Sequence, residues 1–350
     1  MGQFIVSEII LRKVKKSELS EVVQFLKDHW KTDHIFVKNP GLLVWQHQSQ
    51  VEDELNIVAA FDSETGKIFA FHGFIPVSRF DRSLPDGEIS LAIWKALPHP
   101  SAAALGIQTQ FFLEKTLRAD TISAIGLEDV AKKLYKAIRY EVGQLDHFYI
   151  LNPMASSAIL TKNAVHSFMK PFQESIAILP LTDCDPDKWV EVFESYNCKY
   201  APTKSFEYFM DRYVRHPIYS YQCYAIEVGG QPMGIVASRV CRAMGAESLR
   251  LIDVVFKERL DWLAVFTSKL LMASRAEYAD FYNHGLKDLV IETGWNLREG
   301  STIIPNYFEP FEMRNIDLDY AYRNNTKRHF VLVKGDGDQD RPSVVPDPIS

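Results

Sequence analysis

Cysteine is scarce in this chain of 350 residues: there are four, Cys184, Cys198, Cys223 and Cys241, and none stands in a CxxC pair. A chain of this length needs no disulfide staples, and a structural zinc site asks for paired thiol spacing. The cysteines therefore read as free thiols, and no metal is expected. Long apolar runs are also missing: nothing approaches the roughly 20 residues that a membrane span needs. The opening stretch MGQFIVSEIILRKVKK puts its apolar run ahead of its basic cluster and offers no small-residue cleavage site, the reverse of a secretory signal. The expectation is a soluble, cytoplasmic chain with no membrane span. Nor is there an excess of positive charge, since 39 Lys and Arg against 45 Asp and Glu leave a net charge of −6. A nucleic-acid surface depends on a concentrated excess of Lys and Arg, so no nucleic-acid partner is expected. The local cluster Arg12 to Lys16 reads as a solvated strand end.

What the chain does have is ordinary globular composition, 47% hydrophobic and 24% charged, at a length that suits two domains. Alternation predicts a strand over 5–14. Ser17 is then expected to cap a helix whose apolar face is Leu19, Val22, Val23, Phe25 and Leu26. A hairpin follows, Leu55 to Phe61 and Ile68 to Val77, turning at Gly66. Next come a strand from Glu88 to Leu97, a helix from Ala102 to Leu117, a strand from Thr121 to Gly126 and a helix from Glu128 to Ala137. Two strands, Tyr140 to Val142 and His147 to Leu151, close the first unit.

The second half repeats this order: a strand at 175–179, helices opened by Asp185-Pro186 and spanning Lys204 to Val214, and a hairpin around Gly229-Gly230. A strand from Ser248 to Phe256, a helix from Leu260 to Glu277, a strand from Tyr278 to Asn283, a helix from Gly285 to Thr293 and a strand from Phe330 to Lys334 complete it. The expected fold class is α/β, an α+β mixed-sheet arrangement of two lobes, each a largely antiparallel central sheet flanked by helices. The boundaries expected are 1–152 and 170–341, with 342–350 as a tail.

Residues 124–142, AIGLEDVAKKLYKAIRYEV, resemble the acceptor-side motif of the GNAT (Gcn5-related N-acetyltransferase) superfamily. There a strand leads to a helix carrying A-x-x-L-Y and ends in a Gly-aromatic pair, matched here by Ala131, Leu134, Tyr135 and Tyr140. Glu128 stands where Asn is usual, and Arg139 where Gly is usual. Upstream, Ser101, Ala102, Ala103, Ala104, Leu105 and Gly106 sit where the family places R/Q-x-x-G-x-G/A. Small residues there let a pyrophosphate approach backbone N–H groups at a helix N-terminus, and Ser101 departs from the family's Arg or Gln.

The resemblance implies an acyl-CoA cofactor, acetyl-CoA first, and a central-strand backbone at Ala92, Ile93 and Trp94 that polarises the acyl carbonyl. It also implies that Tyr135 protonates the leaving thiolate. The matching place in the second half, DVVFKERLDW (253–262), has no small-residue run, so that lobe is expected not to bind CoA.

The implied reaction is transfer of an acetyl or other short acyl group to an amine, with an amino sugar or a nucleotide-linked amino sugar for surface polysaccharide as the expected acceptor. His72 and Glu88 are the candidate general bases, and each also has a plain packing reading. Trp30, His34, Trp45 and His47 lie where the family carries acceptor-binding helices, and Asn306, Tyr307, Glu309, Asp340 and Arg341 are candidates to close over the acceptor, with Arg341 on phosphate. The aspartates of GDGDQDRP (335–342) mimic the start of a calcium loop, but Arg341 occupies the position of the required Gly and Pro342 follows it, so a hydrogen-bonded turn or a contact with the other lobe is expected. Two other functions remain open: a Fem-type aminoacyltransferase using aminoacyl-tRNA, and a non-catalytic GNAT-like binding module.

Overall fold

The computed structural model describes residues 8–100, 102–155, 158–168, 171–338 and 340–343. Ser101, residues 5–7 of the expected first strand and the tail from 344 onward lie outside them.

The chain begins with β1 (Ile9–Lys15), α1 (Leu19–His29), α2 (Ile35–Lys38), α3 (Pro40–His47), β2 (Glu54–Asp62) and β3 (Ile68–Pro76). It continues with β4 (Glu88–Ala96), α4 (Leu105–Leu117), β5 (Thr121–Ile125), α5 (Asp129–Ala137), β6 (Glu141–Gln144) and β7 (Asp146–Leu151). The second half holds β8 (Ile176–Pro180), α6 (Val190–Lys199), β9 (Tyr200–Ala201), α7 (Phe206–Phe209), β10 (Gln222–Val228), β11 (Gln231–Ala243) and β12 (Ala246–Phe256). Then come α8 (Leu263–Met272), β13 (Ala276–His284), α9 (Lys287–Thr293), β14 (Asn296–Leu297), β15 (Tyr307–Phe308), β16 (Phe311–Glu312), β17 (Asp319–Asn324), β18 (His329–Phe330) and β19 (Leu332–Val333).

Two mixed sheets carry the molecule, in the orders β1-β2-β3-β4-β5-β17-β6 and β14-β7-β13-β12-β11-β10-β8, with β19 also on β13. Laid side by side, the two orders show a reciprocal exchange. β7, from the first half, pairs with β13 in the second sheet, and β17, from the second half, pairs with β5 and β6 in the first. The expected placing of 147–151 in the first unit is thereby corrected, and a boundary at 152 cuts across both sheets. Only Leu145 separates β6 from β7, so the pair looks like a hairpin, yet the chain crosses there from one sheet to the other.

Several element ends also move. Glu18, not Ser17, closes the entry to α1, accepting the Lys15 N–H at 2.9 Å. The helix expected to reach Glu277 stops at Met272, because the Asn152 amide donates to the carbonyls of Leu271 and Ala276 and turns the chain into β13. The helix expected from Lys204 begins after Ser205, whose hydroxyl accepts the Tyr208 N–H, and ends in a π-helical turn, Met210–Val214. Lys204 is thus released to the interior. No helix among the described residues is long and apolar enough to cross a membrane.

Three histidines are sealed in these cores, His47, His72 and His147, and burial above all pulls their pKa values down, to about 4, 3 and 4. Folded, they are neutral, whereas in the unfolded chain they protonate near 6.5. Their contribution to stability is complete above that value and is lost as pH falls from 6.5 toward 4, at up to about 1.4 kcal/mol per pH unit for each. Denaturant unfolding across pH 7.5 to 4.5 is expected to show stability falling below 6.5; a flat profile contradicts it.

Candidate active site

β4 stays paired with β3 along most of its length but with β5 only from Glu88↔Thr121 to Leu91↔Ala124. The reason lies in β4 itself: between the pairs His72↔Trp94 and Phe74↔Leu91 it carries one residue more than β3. Such a bulge bends its strand and turns the later side chains to the other face. Ile89 and Leu91 accordingly pack with Leu113 and Tyr135, whereas Ile93 joins the core under α1–α3 with Phe25 and Phe36.

Beyond Leu91 the strands part, and the gap is a cleft of ≈ 580 Å³. Its walls are residues 91–96 of β4, 124–128 after β5, Gly106 of α4 and the face of α5 that shows Ala131, Leu134 and Tyr135. Among the described residues the edge of β4 beyond Leu91 has no β5 partner, the kind of edge an extended ligand can pair with.

α4 opens onto the same cleft. Thirteen residues of helix direct a positive dipole end and first-turn N–H groups there. Gly106 allows the close approach, since a Cβ on it would lie 3.3 Å from Trp94 Cζ2. Ala104, just before the helix, has a left-handed φ of 53°, a conformation that glycine adopts without strain. Left-handed alanine costs about 1–2 kcal/mol. Ala104→Gly is therefore expected to raise stability by up to about 1 kcal/mol once the greater freedom of unfolded glycine is counted; a loss measured in denaturant contradicts the strain. Ala102 makes a bridge with His99, Ala103 is exposed, and Leu105 is buried.

Tyr135 lines the cleft between Trp94, with ring centroids 5.4 Å apart, and Tyr140, at 5.0 Å. Burial first, and the charge of Glu114 second, hold its phenol far above the usual value. The group therefore stays protonated near neutral pH. Tyr140 has a structural part: its hydroxyl donates to Glu114 at 2.6 Å and accepts from Gln110 at 2.8 Å, while Arg323 of the exchanged strand lies 4.4 Å over its ring.

Neither expected base reaches this cleft. His72 is fully buried behind Trp94, stacked on it at 4.9 Å and 5°, and burial leaves it too weakly basic to take a proton near neutral pH. Glu88 is occupied by the backbone N–H and hydroxyl of Thr203 and by Arg328, so its carboxylate joins the lobes together.

Most of the acceptor candidates are structural as well. His47 is bonded to the Phe74 carbonyl and Gln46, and His34 accepts the Phe36 N–H. Asn306 grips the backbone of Ile316 from both sides, and Glu309 accepts from Tyr219 and Ser343. Tyr307 sits in the β15–β16 hairpin, and Asp340 is paired with Arg239. Trp45 packs on Phe80 and His216 beside a void of ≈ 30 Å³. Trp30, 43% exposed, and Arg341 do line the cleft, as do Ala92, Ile93 and Trp94. Asp338 lines it too and was not among the residues expected there, although the alternating aspartates of 336–340 were visible in the sequence.

The second lobe repeats the geometry but fills it. β12 bulges opposite Ala237–Ser238 and leaves β13 after Leu251↔Phe281, as β4 leaves β5. The gap is occupied by the chain itself: β19 pairs with Asn283 and His284, and the Gly335 N–H donates to the Ile252 carbonyl at 3.0 Å. Behind it, Lys204 is buried between Asp253 at 2.5 Å and Asp336 at 3.3 Å. Among the described residues no cluster of three or more His, Cys, Asp and Glu could hold a metal ion.

No family model matches the chain, and no curated protein matches it either. Solved structures do. A GCN5-related N-acetyltransferase from Anabaena variabilis superposes with a TM-score of 0.53 at 11% identity, over 91% of this chain and 73% of that one. A GCN5-related N-acetyltransferase from Kribbella flavida gives 0.51 at 10%, over 92% and 72%. Identity this low speaks for architecture alone, and the splayed central strands agree with it: this chain has the fold of the GCN5-related N-acetyltransferases.

Proposed function

We propose that the chain is an acyltransferase that binds acetyl-CoA, or another short acyl-CoA, between β4 and β5 and passes the acyl group to an amine. The observation that carries this reading is the bulged, splayed β4 facing Tyr135 across a cleft that also receives the N-terminus of α4. Each part has a task in acyl transfer. The α4 N-terminus, with Gly106 in contact with Trp94, suits a pyrophosphate. The unpaired peptide edge of Ala92 to Trp94 suits the carbonyl whose oxygen gains charge as the amine attacks. Tyr135, kept protonated by its surroundings, suits the departing sulfur.

We place the acceptor on the side of Trp30 and Arg341. An exposed indole and a guanidinium lining one cleft suit a sugar ring that carries phosphate, which supports a nucleotide-linked amino sugar as substrate. The test is thiol release from acetyl-CoA in the presence of UDP-glucosamine, lysine or putrescine. Acceptor-dependent release is expected, and strongest with the sugar nucleotide. No release with any amine contradicts acyl transfer, and a preference for the diamine contradicts the sugar assignment.

A further inference from the structure

After β19 the chain passes from the second lobe to the cleft of the first, which Asp338 and Arg341 line, and the sequence has aspartates at 336, 338 and 340. Two of the three are committed to the interior. Asp336 accepts the Val333 N–H at 2.9 Å and faces Lys204. Asp340 takes two bonds from Arg239, at 3.1 and 2.9 Å, and one from the Tyr221 hydroxyl at 2.7 Å. Arg212 grips the backbone on either side of Asp336, donating to the carbonyls of Gly335 and Gly337. Gly337 turns the chain at φ +67, where an added Cβ would stand 3.5 Å from the Leu91 carbonyl. Leu91 is the last residue of β4 paired with β5, so this turn meets the first lobe where its strands part.

The third aspartate is left for the cleft. Asp338 lines it, and also lines the small void beneath Trp45, with a side chain 10% exposed. Among the described residues its ion-pair partner is Arg341, whose Nη1 lies 3.2 Å away, is buried and has no hydrogen-bond partner there. Among the described residues two carboxylates line the cleft, and the other, Glu128, sits at the N-terminus of α5 against that helix's positive end. An amine acceptor is an ammonium ion at neutral pH and cannot attack until it loses a proton.

Resting on the acyl-transfer reading above, we propose that Asp338 is the catalytic residue that removes that proton, with Arg341 positioning its carboxylate. The ammonium gives one proton to Asp338, and the freed lone pair forms the N–C bond to the thioester carbonyl. As the C–S bond breaks, its electron pair leaves on sulfur, which takes the proton of Tyr135. The new amide nitrogen loses its second proton to water; Tyr135 is reprotonated from solvent and Asp338 returns its proton there, so the net products are amide, thiol and one released proton. The second lobe thereby serves as a clamp that holds a catalytic side chain in the first lobe's cleft.

The experiment compares the full-length wild type with Asp338→Asn and Asp338→Glu. Acetyl-CoA affinity is read by calorimetry, and turnover with the amine of the panel above that the wild type acetylates fastest, together with hydroxylamine, which is already unprotonated at neutral pH. Asp338→Asn is expected to bind acetyl-CoA within about threefold of wild type and to lose about a hundredfold or more in turnover on the ammonium acceptor. Its rate with hydroxylamine should hardly change, while Asp338→Glu keeps a measurable part of the activity. Equal turnover on the ammonium acceptor, or a parallel fall with hydroxylamine, overturns the assignment. A wild-type chain that binds no acetyl-CoA overturns instead the reading on which it rests.

Discussion

Replacing Tyr135 with phenylalanine is expected to lower kcat about a hundredfold while leaving the affinity for acetyl-CoA within about threefold. The ring stays, so its contacts with Trp94 and Tyr140 stay, and the shape of the cleft is kept. Only the proton is lost. Its value is set by position: the phenol is buried against Trp94, under a helix face whose other cleft residues, Ala131 and Leu134, carry no proton to donate. A thiolate must then leave unprotonated, and that cost falls on the transition state alone, so kcat and kcat/KM drop together. Steady-state kinetics beside a calorimetric titration separate this outcome from a packing role, in which binding and unfolding midpoint fall instead. Equal turnover by the two forms removes Tyr135 from the mechanism.

Lys204→Met is expected to cost about 3–5 kcal/mol of stability. The lysine lies with no exposed side-chain surface between Asp253 and Asp336, and Tyr213 completes the cluster by donating to Asp253 at 2.7 Å. Burial by itself pulls the ammonium down, but the two carboxylates hold its pKa above the ordinary value, so it is charged in the folded protein. Methionine keeps much of the volume and leaves two buried carboxylates facing each other. Equilibrium unfolding in denaturant measures the loss, and a change under about 1 kcal/mol contradicts the cluster's part in the fold. Asp336 also anchors the segment that presents Asp338, so turnover is expected to fall further than acetyl-CoA affinity.

Local pattern carried much of this fold in the sequence. The β2–β3 hairpin with its Gly66 turn and α5 with Ala131, Leu134 and Tyr135 lie where alternation and helical spacing place them. Partner choice was hidden. β7 was expected as a strand and β17 was not, and neither segment says which sheet receives it: here each crosses to the other lobe. The candidate bases show a second limit. His72 and Glu88 have suitable chemistry, yet the fold stacks one behind Trp94 and ties the other to Thr203 and Arg328, long-range contacts that no local pattern reveals. Asp338 was missed because the aspartates of 336–340 look alike, and only the folded chain shows two of them neutralised by Lys204 and Arg239.

The central claim is that one of two related clefts takes acyl-CoA, the first lobe's, because the second is filled by residues 332–337. Calorimetric titration of the full-length chain with acetyl-CoA tests it most directly. One site per chain, lost when Gly106 is replaced by a bulky residue such as Trp, is the predicted result. No binding, two sites, or unchanged binding in the Gly106 variant contradicts it.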